Sequence, residues 1–117
     1  MIVDDSTAMR MIVRKTMRQA GFDGHEYSEA EDGAKALSAI KSAPPDLVLS
    51  DWNMPNMTGI ELLENLIKDG VKLKFGFVTT EATPDMRQRA TAAGASFLIS
   101  KPFTPESFKE ILGAHIK

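Results

Sequence analysis

The chain has 117 residues, 43% of them hydrophobic and 26% charged, and a formal net charge of -2 at pH 7. These values fit one soluble domain over residues 1–117, and the weak negative charge argues against a broad nucleic-acid-binding face. The absence of cysteine excludes disulfides and thiolate metal sites. No apolar run approaches the roughly 20 residues that span a bilayer, and the opening residues do not resemble a secretory signal. We therefore expect a cytoplasmic protein that does not enter the membrane.

Short apolar runs predict five strands. Most of the runs are nearly continuous, which is typical of strands buried on both faces of a parallel sheet, and the second is weak. They lie at residues 2–3, 25–27, 47–49, 75–78 and 97–99.

Five helices are predicted between and after these runs, from helical periodicity and from capping residues. The first has an apolar stripe that Gly21 closes, and the second ends before Pro44. Thr58 and Glu61 form a capping box that opens the third helix, which Gly70 closes. Thr-Pro pairs at 83–84 and 104–105 open the last two. The stripes are Met9, Ile12, Val13, Thr16, Met17 and Ala20 in the first helix, Ala34, Leu37, Ala39 and Ile40 in the second, and Phe108, Ile111, Leu112 and Ile116 in the last.

Strict alternation of strands and helices predicts an α/β fold of five βα units. Right-handed crossovers make this a doubly wound parallel sheet with helices on both faces. In such sheets, ligands bind beyond the carboxyl ends of the strands.

Polar side chains follow four of the predicted strands at that edge. Asp4 and Asp5 follow the first, Asp51 the third, Thr79 the fourth and Lys101 the fifth. Three carboxylates brought together repel one another unless a cation offsets their charge. Mg²⁺ prefers oxygen ligands and usually retains waters, so a few carboxylates and a backbone carbonyl suffice to bind it.

Asp51 is the candidate nucleophile of this site. A carboxylate can attack phosphorus and form an acyl phosphate. Mg²⁺, the Lys101 ammonium and the Thr79 hydroxyl are the groups available to hold the phosphoryl charge.

Three short motifs resemble those of the receiver domains of two-component signalling, and the resemblance covers essentially the whole chain. Val3-Asp4-Asp5 is similar to the acidic pair, residues 51–59 to the phosphorylation-site segment, and Lys101-Pro102-Phe103 to the closing motif. Segment 51–59 (DWNMPNMTG) is especially similar to that of the chemotaxis motor-switch regulators. The resemblance implies a flavodoxin-like fold with strand order 2-1-3-4-5.

The resemblance also implies residue roles. Asp51 is the phosphoacceptor, and Asp4, Asp5, Asp51 and the backbone carbonyl of Asn53 bind Mg²⁺. Thr79 is the switch hydroxyl, and Lys101, which precedes a cis proline bond, pairs with Asp51. Side chains at the positions of Asn53 and Glu81 tune dephosphorylation. The family usually has an aromatic residue three positions before the lysine; here that position is Leu98, with Phe97 beside it, so coupling of an aromatic ring to Thr79 is in question.

The implied partners are a sensor histidine kinase, which donates the phosphoryl group, and a downstream target protein, such as the flagellar motor switch. We expect the output surface on residues 83–117 of the domain itself, in a monomer that contacts no nucleic acid. The domain would catalyse only its own phosphorylation and dephosphorylation and would not be a conventional enzyme.

Two alternatives stay open. A haloacid-dehalogenase-like phosphohydrolase also forms an aspartyl phosphate, but it needs a second Asp where this chain has Asn53. A phosphate-independent interaction module is expected to lack an acidic residue, the Thr or the Lys. All are present here, and only Leu98 favours that reading.

Overall fold

The computed structural model describes residues 1–22, 24, 26–80 and 83–114. Its five strands form one parallel sheet in the order β2-β1-β3-β4-β5, as the family resemblance implied. The strands are β1 (Ile2–Val3), β2 (Glu29–Ala30), β3 (Leu47–Ser50), β4 (Lys74–Thr79) and β5 (Phe97–Ser100).

The predicted position of the second strand is wrong. Residues 26–28 are not in a strand, residue 25 lies outside the described residues, and β2 forms at Glu29–Ala30 instead. Only Ala30 of β2 is buried, because β2 lies at the edge of the sheet and pairs with β1 alone. Tyr27 packs against the core from the preceding loop, so the apolar residue that suggested a strand belongs to the connection.

Five helices alternate with these strands over the described residues, and the predicted starts of the last three are confirmed. Thr58 and Glu61 form the expected capping box, and Thr83 and Thr104 each cap a helix that has proline in its first turn. Gly21 and Gly70 follow the ends of the first and third helices with positive φ, the backbone region that favours glycine. The helices are α1 (Thr7–Gln19), α2 (Gly33–Ser42), α3 (Gly59–Lys68), α4 (Pro84–Ala92) and α5 (Pro105–Leu112).

Two apolar clusters cover the two faces of the sheet, as expected for a doubly wound fold. One joins Val3, Val48, Phe75 and Phe77 of the strands to residues of α2, α3 and α4. The other joins Ile2, Leu49, Val78 and Ile99 to residues of α1 and α5. The sheet is therefore buried on both sides, and its carboxyl edge is left for a site.

Two of the predicted helix stripes need correction. In α1, Val13, Thr16 and Met17 are buried, but Ile12 is 48% exposed. In α2, Gly33, Ala36 and Ile40 are buried, whereas Ala34 and Ala39 are exposed. The stripe of α5 is buried at Phe108 and Leu112, and Ile116 lies outside the described residues. Among the helices that the structure describes, none combines the length and apolar character needed to cross a bilayer.

Candidate functional site: an acidic cluster at the carboxyl edge of the sheet

Pairing of β1 with β3 places Asp4 beside Asp51. The two strands run parallel with Val3 opposite Ser50, so the residue after each strand emerges at the same edge. The Asp51 amide donates to the Val3 carbonyl at 2.9 Å, which extends the pairing to the start of the site. Both positions were predicted from the ends of the apolar runs.

Asp4, Asp5 and Asp51 form a compact carboxylate cluster. One oxygen from each lies within 4.8 Å of the others. Asp4 is buried, Asp51 is half-buried and Asp5 is exposed, so the cluster opens to solvent on the Asp5 side. An all-oxygen donor set with an open side suits a hard cation that keeps part of its water shell, and these residues therefore fit Mg²⁺.

Lys101 places a positive charge next to the carboxylates. Its ammonium nitrogen lies 3.4 Å from Oδ2 of Asp4 and 3.8 Å from Oδ1 of Asp51, and only 11% of its side chain is exposed. The Lys101 amide donates to the Thr79 carbonyl at 2.8 Å, which continues the β4–β5 pairing past the end of β5. The bond between Lys101 and Pro102 is cis, as expected.

The pKa of Asp51 is raised above its ordinary value. Burial is the largest cause; the Lys101 ammonium acts in the opposite direction, and the charge of Asp4 raises the pKa further. The Trp52 amide, which donates to Oδ1 of Asp51 at 2.8 Å, also lowers it, and Asp5 raises it. Because the pKa is raised on balance, one lysine and one amide do not fully offset the unfavourable surroundings of this carboxylate, and an added cation would relieve them.

Thr79 and Asn53, two further predicted residues, lie at the same edge in different environments. Thr79 is fully buried at the end of β4, next to Ser100 of β5. Asn53 is exposed in the loop between β3 and α3. Glu81 lies outside the described residues.

Phe97 and Leu98 lie on opposite faces of β5. Phe97 packs with the cluster under α1 and α5, and its ring lies over Gly76 of β4, where a Cβ atom would come within 2.0 Å of it. Leu98 pairs with Phe77 of β4 and packs on the other face, with the cluster that contains Trp52. Exchanging the two side chains would need a one-residue shift in strand register, so Leu98, and not Phe97, lies on the face of the sheet that carries Trp52.

Gly59, the first residue of α3, permits a close approach between that helix and Asp51. A Cβ atom there would lie 2.1 Å from the Asp51 carbonyl oxygen and 2.9 Å from the Phe77 ring. The Gly59 amide donates to the Trp52 carbonyl at 2.8 Å, which closes the loop from residue 52 to residue 58.

We expect Gly59→Ala to destabilise the protein by about 2 kcal/mol, the usual cost of forcing a methyl group into a filled site. The contacted atom is backbone and cannot rotate away. Urea unfolding measures the change, and Gly24→Ala is the control because, apart from its chain neighbours, no atom of the described residues lies within 4 Å of the corresponding Cβ. Equal stability of the two variants would contradict the close approach at Gly59.

Two sets of contacts that the sequence did not predict support the loops of this site. Arg10 of α1 donates from Nη1 to the Asp4 carbonyl at 2.5 Å, and its Nε pairs with Glu29 of β2 at 3.0 Å. Asp32, before α2, accepts a hydrogen bond from the Asn56 side chain at 3.1 Å. The only sequence signal was the N-cap character of Asp32; the partners lie on separate elements and follow no periodic pattern.

Residues 1–113 match the response regulator receiver domain family. The chain is 41% identical over 114 residues to chemotaxis protein CheY-3 of Vibrio cholerae, covering 96% of this chain and 86% of that protein. It is 40% identical over 112 residues to chemotaxis protein CheY of Pseudomonas aeruginosa, covering 94% and 89%. The structure of Vibrio cholerae CheY4 aligns with a TM-score of 0.83 at 36% identity, covering 97% of this chain and 93% of that chain. With its sheet order, its acidic edge and these relatives, the chain belongs to the receiver-domain family of response regulators.

Proposed function

We propose that this domain is a phosphorylation-dependent switch in which Asp51 accepts a phosphoryl group from a phosphohistidine on a sensor histidine kinase. An Asp51 oxygen attacks phosphorus, the phosphorus–nitrogen bond breaks, and the histidine leaves with the bonding electron pair. The product is an acyl phosphate on Asp51. The observation that carries this proposal is the grouping of Asp4, Asp5 and Asp51 within 4.8 Å, with Lys101 beside them.

The residues around Asp51 have separate tasks in this proposal. Asp4, Asp5, Asp51 and the Asn53 carbonyl hold Mg²⁺, which when bound neutralises charge on the phosphoryl oxygens. Lys101 supplies a second cation to those oxygens, and the Thr79 hydroxyl donates a hydrogen bond to one of them. Asn53 and Glu81 tune the access of the water that later removes the phosphoryl group.

Phosphorylation would shift an existing equilibrium between two arrangements of the loops that follow β4 and β5. We propose that Thr79 moves toward the phosphoryl group and that Leu98 responds in place of an aromatic residue. The change is then read on α4, β5 and α5, where Arg87, Arg89 and Lys109 are exposed. Because chemotaxis proteins of two bacteria are similar along most of the chain, we propose a cytoplasmic role in chemotaxis, with a motility protein as target.

Trp52 provides the test, because it adjoins Asp51, is buried, and has its ring 4.8 Å from that of Phe77. We expect Mg²⁺ to change the Trp52 fluorescence and beryllium fluoride, which mimics an acyl phosphate on a carboxylate, to change it again. Neither change should occur in Asp51→Asn. Mass spectrometry after treatment with acetyl phosphate should show one phosphoryl adduct in the wild type and none in the variant.

An adduct that persists in Asp51→Asn would place the acceptor elsewhere. Wild-type protein with neither a fluorescence change nor an adduct would favour a phosphate-independent interaction module. The half-buried Leu98, at the position where the family usually has an aromatic residue, is the observation that favours this second function.

A further inference from the structure

Asp32 links the turn before α2 to the loop that carries Asn53. Its Oδ1 accepts from the Lys35 amide at 2.8 Å, which caps α2, and its Oδ2 accepts from Nδ2 of Asn56 at 3.1 Å. The Asp32 residue is only 5% exposed. A buried carboxylate needs hydrogen-bond donors, and the Asn56 amide is one of the two that the structure describes.

The same two segments also touch through their backbones. A Cβ atom at Gly33 would lie 2.6 Å from the Met57 carbonyl oxygen, so the start of α2 lies directly against the loop. Asn56 has a φ of 66°, a conformation that Asn adopts more readily than most residues. The loop is thus held from the α2 side at Asn56 and Met57, close to Asn53 in sequence.

We propose that Asp32 is a positioning residue for the metal site: its hydrogen bond to Asn56 holds the loop from residue 52 to residue 58, and with it the Asn53 carbonyl, in the arrangement that binds Mg²⁺. This inference rests on the proposed function. Asp32 is not a member of the cluster of Asp4, Asp5 and Asp51 and would act on the metal site only through the loop. Groups that orient metal ligands from outside the ligand shell commonly change metal affinity when they are removed.

Asn56→Asp tests the role of the Asp32–Asn56 hydrogen bond, because the two possible effects of this substitution change the Mg²⁺ dissociation constant in opposite directions. The new carboxylate would face that of Asp32 and open the contact, and we expect the Mg²⁺ dissociation constant to rise about tenfold. The added negative charge by itself would attract Mg²⁺ and lower the constant. Asn56→Gly tolerates the positive φ, removes the amide without a change in charge, and should also raise the constant.

Exchanging the partners supplies the rescue. In Asp32→Asn/Asn56→Asp, the amide at position 32 can donate to the carboxylate at position 56 while its oxygen still caps α2. We expect this double variant to bind Mg²⁺ within about twofold of the wild type, as a coupled pair should. Glu31→Gln is the control, because it removes an exposed charge from the same turn, where Glu31 pairs with Lys35 and not with Asn56.

The dissociation constants are measured by calorimetry, and urea unfolding without Mg²⁺ identifies any variant that is not folded. Three results would each overturn the inference: unchanged Mg²⁺ affinity in both Asn56 variants, tighter Mg²⁺ binding in Asn56→Asp, or failure of the double variant to restore affinity.

The proposed function would survive any of these three results, provided that the wild type binds Mg²⁺ and Asp51→Asn does not. If the wild type binds no Mg²⁺, both fall together.

Discussion

We expect Asp51→Asn to stabilise the metal-free protein while it abolishes stabilisation by Mg²⁺. Asp51 is held among groups that raise its pKa, burial first, and Lys101 only partly opposes them. The charged form is therefore disfavoured in the folded state, and the neutral amide removes that cost. We expect a gain on the order of 1 kcal/mol, which corresponds to roughly 4 °C in Tm for a domain of this size.

The stability that Asp51→Asn gains over the wild type should increase as pH rises. Because the pKa of Asp51 is raised in the folded state, the unfolded chain loses this proton first as pH rises, and the wild type becomes less stable through that interval. The advantage of Asp51→Asn is then complete above the folded-state pKa and shrinks as pH falls toward about 4, the ordinary value of an aspartic acid.

Thermal unfolding measures the stability gain, its pH dependence and the loss of stabilisation by Mg²⁺. Both proteins are unfolded at neutral and acidic pH, with and without Mg²⁺. Mg²⁺ should raise the Tm of the wild type, because an ion that binds only the folded state stabilises it. Glu110→Gln is the control, because it removes an exposed carboxylate in the second half of α5, outside the acidic cluster. A stability loss in Asp51→Asn at neutral pH would mean that Lys101 overcompensates the burial of this carboxylate.

The acidic edge was predictable because its residues follow strands with strong apolar signals. The runs that became β1, β3 and β4 are buried nearly throughout, and the apolar residues of β5 are buried or half-buried, so the residues after these strands had to emerge together. β2 gave no such signal, because an edge strand of two residues, one of them exposed, needs little apolar character. The misplaced strand therefore left the predicted site unaffected, since β2 contributes no carboxylate to the cluster.

The buried faces of the helices and the contacts between loops depend on tertiary packing, which the helical period of apolar residues does not predict. Ile12 and Val13 are adjacent apolar residues of α1, yet only Val13 is buried. Val13 packs in the cluster that contains residues of α5, so the position of α5 determines which of the two is buried. Small residues gave equally weak guidance in α2, where Ala36 is buried and Ala34 is exposed. The contact between Asp32 and Asn56 joins residues 24 positions apart, and nothing in local sequence indicates that their turns meet.

We expect Lys101→Met to move two properties of the site in opposite directions: Mg²⁺ should bind more tightly, and the response to beryllium fluoride should be lost. Lys101 lies 3.4 Å from Asp4 and 3.8 Å from Asp51, so it competes with any cation for the same carboxylates. Removing one charge at this range should lower the Mg²⁺ dissociation constant on the order of tenfold. Beryllium fluoride bound at Asp51 carries negative charge, and the substitution removes the Lys101 ammonium that would stabilise that charge.

The same substitution should weaken the metal-free fold. Asp4 is 4% exposed and would lose the lysine, its ion-pair partner in the structure, while methionine preserves most of the packing of the lysine stem. Breaking a buried pair from one side leaves a charge without compensation, and we expect a loss of about 3 kcal/mol in urea unfolding. Saturating Mg²⁺ should restore part of it, because the ion then takes over the role of the lysine charge.

Lys72→Met is the matched control, because it removes an exposed lysine just before β4, at the opposite edge of the sheet. It should leave the Mg²⁺ dissociation constant and the beryllium fluoride response unchanged. Weaker Mg²⁺ binding in Lys101→Met would mean that the lysine organises the carboxylates instead of competing for them. A retained beryllium fluoride response would show that the phosphoryl charge is held without Lys101, by Mg²⁺, Thr79 and the backbone amides alone.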